Sequence, residues 1–465
     1  MRERRDGTTA RPRPAFDVAD ERLARAAWSR LAEPGDEVAG ALVRALGASD
    51  ALAWVYDAAG DPAEARRGLV AAAGRHPGTG DARAGGQAAT DLAALMVPAR
   101  GGPGVAGAGH DDETADRWDV GTDRRPAAPV ARVLRAVSRW APRLDGMDPR
   151  RELHVLARLG GALVVPGDPG WPTGVDDLGA AAPLCLWARG VPDLATLSRR
   201  SVAVVGARAC TDYGRYVTGD VATGLADRGF TVVSGGAYGI DAAAHRGALA
   251  VGGPTVAFLA GGVDRFYPAG NVELLRAVVD SGGSVVSEVP PGSVPSRVRF
   301  LMRNRLIAAF ATATVVVEAA WRSGSLSTAA RAAELSRPVG VVPGPVTSVA
   351  SSGCHRLLRD GAAVCVTDAD EVAELAGALG QDAAPSGPRS DQARDAPHDG
   401  LDPVETRAWE ALPLRSGRPV ESVARAAGLA VPETIAALGR LELTGLADRV
   451  PGGWRRGDAR ARSRP

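Results

Sequence analysis

The stretch SVAVVGARACTDYGRYVTGDVATGLADRGFTVVSGG, from Ser201 to Gly236, decides the fold. It opens on a short β-branched apolar run, SVAVVG, and crosses a loop. It then runs through YVTGDVATGLADRG with a helical pattern and closes on a second apolar run, FTVVSGG. Short strands apolar on both faces, alternating with helices, indicate a parallel sheet covered by helices on both sides. The alternation continues in PTVAFLAGG, GSVVSE, ATVVVEA and PVGVVPG, with the helical stretch LSTAARAAELS before the last. Residues 198–376 are therefore expected to form an α/β domain with a doubly wound, mostly parallel sheet.

Working outward, residues 19–73 read as helices: ERLARAAWSRLAE, a stop and restart at EPGD, VAGALVRAL ending at Gly47, then ASDALAWVY. Residues 1–18 form a charged tail, expected to be disordered. Residues 74–126 shift to Gly, Pro, Asp and Arg, which is linker composition with at most one short helix near TDLAALM. Residues 127–197 carry two helices, VARVLRAVSRW and PRRELHVLARLG, and two lead-in strands, ALVV and PLCLWARG. A second linker at 377–402 precedes residues 403–458, where two helices, a short strand and a PGG hairpin follow the order of a winged helix. Residues 459–465 are a tail. The winged helix could read DNA or serve as a packing or protein-contact module, because its helix VPETIAALGRLELTG carries only Arg440 as a cation.

Length, 465 residues, suggests two or three domains. A formal charge of +1 selects no partner. The chain has no lysine, so every side-chain cation except histidine is arginine. Cys185, Cys210, Cys354 and Cys365 are scattered without CxxC spacing, which supports neither a zinc site nor a disulfide framework. The N-terminus lacks an apolar signal core, and no run of about 18 apolar residues exists to span a bilayer, so a cytoplasmic location is expected.

In an open α/β sheet, ligands bind beyond the carboxyl ends of the strands, where helix N-termini offer free amides. The loops there place Arg208 after the first core strand and Ser234, Gly235, Gly236 and Tyr238 after the second. Arg303, Asn304 and Arg305 follow the fourth, and Ser323, Gly324 and Ser325 the fifth. Backbone amides and guanidinium forks together suit a phosphate; alternatively one arginine pairs with Glu288 or Glu318. RNR reads as the start of a helix, where positions 303 and 305 point about 200° apart. One is then expected to meet the ligand and the other to brace the fold.

Several chemistries are excluded or unsupported. The first loop reads GARACT rather than G-x-G-x-x-G, which disfavours NAD and FAD, and without lysine no Walker A loop is possible. GSLST after Ser323 lacks the context of a nucleophile elbow. His245 reads as a packed or capping side chain, and His355 is too isolated for a metal site. No catalytic residue, metal or cofactor is expected. A phosphate site without catalytic machinery suits a polymer, and Tyr213, Tyr238, Phe266 and Tyr267 could stack its bases, as single strands require. Phe266 and Tyr267 could equally cover the sheet end.

Seven segments in order, VVGARACTDYG, SGGAYGIDAAAH, LAGGVDRFYPAGNVELL, SEVPPG, RNRLIAAF, VVVEAAWRSGSLSTAARAAEL and PVGVVPG, resemble the DNA-processing protein A family (DprA/Smf). The resemblance implies a Rossmann-like core between a helical SAM-like domain and a winged helix. It implies a non-enzymatic protein that binds and protects incoming single-stranded DNA and loads the RecA recombinase in natural transformation. It also implies a homodimer formed through the Rossmann-like domain, with Arg208 in the DNA pocket. Where the family often carries a lysine in S-G-x-A-x-G-I-D, this chain has Tyr238, so a stacking contact could replace a phosphate contact. Two alternatives come from other classes. One is a phosphoribohydrolase-type enzyme, disfavoured because RSGSLSTAA lacks the P-G-G-x-G-T-x-x-E run. The other is a duplex-binding winged-helix regulator.

Overall fold

The computed structural model describes residues 14–73, 129–378, 382–383, 401–414 and 416–457. Most of the N-terminal tail, the linker from 74, most of the second linker and the C-terminal tail lie outside the described residues. Two compact units are present, Met1–Ala384 and Pro385–Pro465.

The first unit is built on one nine-stranded sheet. Its strands are β1 (Gly161–Val164), β2 (Leu186–Gly190), β3 (Ser201–Val205), β4 (Thr231–Gly235), β5 (Thr255–Leu259), β6 (Ser284–Ser287), β7 (Ala313–Val316), β8 (Val339–Val341) and β9 (Val364–Cys365). Their order across the sheet is β1-β2-β6-β5-β4-β3-β7-β8-β9. The seven strands from β6 to β9 are mutually parallel. The lead-in strands β1 and β2 add to the β6 edge antiparallel. Every residue of β3 through β8 is buried, which is why these runs carry no polar alternation. The chain steps from β3 through β4 and β5 to β6, then returns to lay β7 on the other side of β3. That reversal opens a crevice between the carboxyl ends of β3 and β7.

The helix that makes the return, Arg297–Phe310, starts earlier than the sequence suggested. PSRVRF reads as loop, yet the Ser296 hydroxyl accepts from the Arg299 amide at 3.2 Å and caps a helix there. RNR is consequently mid-helix, and the two arginines keep their opposed directions.

The N-terminal helices Glu21–Leu31, Glu37–Leu46, Ala48–Gly60 and Pro62–Ala73 begin where Asp20 and Asp36 cap the first two. Trp28 donates to the Ala48 carbonyl at 3.0 Å and meets Trp140 edge-on at 5.4 Å. Trp140 belongs to helix Pro129–Leu144, so a helix grouped by sequence with the lead-in segment packs into the same apolar cluster as Trp28, Leu42 and Leu52. Among the described residues no single helix is long and apolar enough to cross a membrane. The bent pair Glu37–Leu46 and Ala48–Gly60 has the composition, but its apolar side chains fill this cluster.

In the second unit, helices Pro403–Glu410, Val420–Ala427 and Val431–Leu443 precede a hairpin of β10 (Ala447–Val450) and β11 (Gly453–Arg456). Arg440 pairs with Glu405 and, at 3.4 Å, with Asp402. The third helix thus commits its one cation to its own domain, while Ile435 and Leu443 stand exposed.

His245 is fully buried on helix Ile240–Ala250, as a packed residue should be. Its Nε2 lies 2.8 Å from the Gly235 carbonyl, which only an N–H can approach, and its Nδ1 lies 2.7 Å from the Thr255 hydroxyl. Burial lowers its pKa from 6.5 to about 4, so the folded ring is neutral. The unfolded chain takes up a proton below pH 6.5 that the folded chain refuses until about pH 4. This site should therefore contribute a loss of about 3 kcal/mol as pH falls through that window. His245→Gln should flatten that part of the stability curve, read by denaturant titration at several pH values; an unchanged curve would refute the neutral buried ring.

Candidate nucleic-acid interface

The crevice between β3 and β7 is an open cleft of about 680 Å³. One wall is the face of helix Arg297–Phe310 that carries Arg297, Phe300, Leu301, Asn304 and Ile307, residues three and four apart. The opposite side comes from the β3 loop with Arg208 and from Arg322 to Ser325 after β7. Asp241 and Arg303 form part of the floor. Arg208, Arg297 and Arg322 are exposed, and among the described residues none of the three is paired with a carboxylate.

The arginine pair divides as its geometry requires. Arg303 turns toward the cleft but is 6% exposed, with one Nη donating to the Phe258 carbonyl at the end of β5. Its Nε is buried without a partner among the described residues. Burial, above all, pulls its pKa below the usual arginine range; Asp241 opposes that and Arg208 adds to it. Arg305 points the other way and is 3% exposed, and its Nη2 donates to both Glu288 oxygens at 2.6 Å. It does not reach the cleft. Arg299, also turned away from the cleft, holds Glu33 of the N-terminal helices at 2.9 Å. The Arg299 hydrogen bond is the main reason the Glu33 pKa lies below the usual carboxylate value.

Glu318, the other anticipated partner, braces a loop instead. It accepts from the Thr211 amide at 2.9 Å and from the Thr211 hydroxyl, which fixes the turn that carries Arg208. Gly239 adopts φ +78°, and any Cβ there would lie 2.2 Å from the Ala207 carbonyl oxygen, so only glycine lets the β3 and β4 loops clasp.

The glycine-rich turn after β4 has a different job from the one its sequence suggested. Ser234 is buried and donates to the Val204 carbonyl at 2.7 Å. Gly235 and Gly236 are buried as well, and a Cβ on Gly235 would sit 2.2 Å from an Arg303 nitrogen. Gly235 thus makes room for the Arg303 guanidinium. Asn304 is on the cleft wall, and its amide donates to the Gly324 carbonyl at 3.2 Å and Ser327 at 2.8 Å, so it holds the post-β7 loop. Ser323 and Ser325 bond one another through their hydroxyls at 2.7 Å, and both they and Gly324 line the cleft.

Of the aromatic candidates, Tyr238 and Tyr267 are about half exposed. Tyr238 accepts from the Gly270 amide at 3.2 Å. Phe266 is buried under Arg189 at 4.6 Å and covers the sheet end. Tyr213 donates to the Pro343 carbonyl. Sequence reading missed Phe300, whose ring lies 4.9 Å from the Arg208 guanidinium, 5.9 Å from that of Arg303 and 6.0 Å from the Tyr267 ring. Its signal was its place three residues before Arg303, on the same helix face. Arg297 belongs to the same helix face, whereas Arg322 directly precedes Ser323 in the loop after β7.

The buried Arg305–Glu288 pair yields a test. Arg305→Ala strands a buried carboxylate and should cost about 3–5 kcal/mol of unfolding free energy. Arg305→Met combined with Glu288→Leu should recover most of it. Equal instability of the single and double variants in denaturant titration would contradict the assigned role.

Known proteins can be set beside this geometry. A family model for DNA recombination-mediator protein A matches residues 162–377, and one for the DprA winged helix domain matches 392–453. A putative DNA processing protein DprA of Mycobacterium tuberculosis is 48% identical over 314 residues, covering 65% of this chain and 79% of that protein. Protein Smf of Escherichia coli is 37% identical over 265 residues, covering 56% and 69%. A structure of DNA processing protein A from Helicobacter pylori, reported for its single-stranded DNA binding mode, superposes with TM-score 0.41 at 29% identity, covering 46% of this chain and 93% of that one. A Rossmann-like core, a C-terminal winged helix and sequence identity over most of a relative's length agree: the chain belongs to the DprA/Smf family of DNA-processing proteins.

Proposed function

We propose that the cleft between β3 and β7 binds single-stranded DNA, and that the protein shields the strand and loads a RecA-type recombinase onto it in transformation and recombination. The observation that carries this reading is the set Arg208, Arg297 and Arg322 around one cleft, exposed and, among the described residues, without carboxylate partners. In a chain of net charge +1, attraction for a polyanion has to be local. Phe300 beside them, with Tyr267 against it, offers aromatic faces that only unpaired bases can use. The winged helix is a poorer candidate, because the one cation of its third helix is committed to Glu405 and Asp402.

The site binds without reacting. His245 is sealed under the sheet and neutral, and the cleft serines hydrogen-bond each other rather than a base. Family membership supports the finer parts of the proposal: action in the cytoplasm, no cofactor, a homodimer joined through the Rossmann-like domain, and RecA as the partner. The experiment that tests the reading is competition between single-stranded and duplex DNA over a salt series. Preference for the single strand is expected, with a log–log slope of roughly −0.7 per phosphate neutralised. Preference for duplex would favour the winged-helix regulator, and free base released from nucleotide monophosphates would favour an enzyme.

Two variants sharpen the test. Arg208→Ala should weaken single-strand binding by about 1.5–3 kcal/mol and reduce the salt slope by about one contact. Its thermal stability should change little, because Arg208 is exposed and, among the described residues, forms no ion pair. A chain ending at residue 402 should retain most of the affinity; loss of binding with the core still folded would move the site to the winged helix.

A further inference from the structure

The second unit gathers cations at its C-terminal end. From Ala447 to Pro465 the sequence has six arginines against two aspartates, a net charge of +4 in a chain whose total is +1. Arg449, Arg455 and Arg456 lie on the β10–β11 hairpin, the wing, and Arg460, Arg462 and Arg464 follow it in sequence. The three on the wing differ in duty. Arg455 is held by Asp448 at 3.1 Å. Arg456 lies over the Trp409 ring at 3.9 Å and donates to the Trp409 and Glu410 carbonyls. Arg449 is exposed and, among the described residues, has no carboxylate partner.

The register of the wing gives Arg449 a companion. Arg449 stands opposite Trp454, and Trp454 is bridged on its other side to Arg418 by backbone bonds of 2.8 and 3.0 Å. Directly opposed residues share a face, so two guanidiniums flank one indole. Arg418 is also exposed and, among the described residues, forms no ion pair. The third helix presents a different surface, with Arg440 committed to Glu405 and Asp402 and with Val431, Ile435 and Leu443 exposed. Two free cations at a fixed spacing, followed by three more in sequence, suit a run of phosphates. A single strand would also need open aromatic faces for its bases, and Trp454 is partly buried against the apolar cluster of its own domain, 5.7 Å from the Arg449 guanidinium. A duplex can be held by phosphate contacts alone.

We propose that the wing and the arginines that follow it form a second nucleic-acid site, which holds the phosphate backbone of duplex DNA without sequence preference. Its contacts are Arg418 and Arg449, with Arg460, Arg462 and Arg464 as further cations, and the third helix takes no part. This inference does not rest on the single-strand reading of the cleft. The wing site is the weaker of the two, because it has charge without aromatic faces. A protein with both sites carries a single strand and a duplex at once, the two substrates that strand pairing requires.

The test uses the full chain with a fluorescently labelled duplex and a labelled single strand of equal length, each over a salt series. Duplex binding by the wild type should show a log–log slope of roughly −0.9 per phosphate neutralised. Arg418→Gln combined with Arg449→Gln should weaken duplex binding by about tenfold and make the slope shallower by about two contacts. Single-strand affinity should stay the same. Arg460→Gln, Arg462→Gln and Arg464→Gln together should also weaken duplex binding alone, whereas Arg440→Gln should leave it unchanged. A wild type that binds no duplex overturns the second site. So does an unchanged duplex affinity in either the wing or the tail variant, or an equal loss for both nucleic acids. Wing-dependent capture by phosphatidylserine vesicles without duplex binding would assign the patch to an anionic membrane and overturn it as well. Should the wing variant not fold, the tail variant decides the matter alone. The single-strand reading fails separately, when the wild type binds no single strand.

Discussion

Two side chains two residues apart on a helix point about 200° apart, and much of this molecule follows from that constraint acting at Arg303 and Arg305. Helix Arg297–Phe310 returns across the sheet to open the crevice beside β3. Its front face supplies the cleft wall. Away from the cleft, Arg305 holds Glu288 after β6 within the core, and Arg299 reaches Glu33 and so ties the N-terminal helices to the core. A single helix thereby fixes the cleft and the docking of the helical region together. Arginine suits both duties, because its fork makes two contacts at once and keeps its charge when buried.

The floor arginine imposes conditions on its neighbours. Arg303 can lie under the cleft only because Gly235 has no Cβ and the Phe258 carbonyl accepts one of its nitrogens. Thus a glycine that a motif reading assigns to ligand contact acts one layer further back. The same holds for Glu318, whose bonds to Thr211 orient the turn bearing Arg208. Around this cleft, the buried polar residues position the exposed ones.

This explains what the sequence disclosed and what it withheld. The six core strands from β3 to β8 were legible because each is apolar on both faces, a pattern that burial between two helix layers alone requires. The two-residue strand β9 was not, since two residues have no period. The antiparallel sense of β1 and β2 was hidden because it depends on where they dock, not on their composition. The helix start at Ser296 was missed because Pro and Ser read as loop until the capping bond is seen. Arg208 could be identified from its place after β3, whereas the spacing of Phe300 three residues before Arg303 becomes a shared face only once the helix is known to start at Arg297.

The division between rim and floor also bears on how such a site can serve a polymer. Phosphate contacts fix a strand's path and carry no sequence information, whereas base contacts discriminate at the cost of a defined register. Rim arginines that, among the described residues, have no carboxylate partner offer the same attraction to any phosphate, whatever base it carries. The buried Asp241 and Arg303 at its floor are held by the β4 turn and the β5 carbonyl, so their positions are fixed. Rigid groups discriminate where mobile ones adapt. The free charges of this cleft thus lie where the protein is exposed, and its fixed polar groups where the protein is packed.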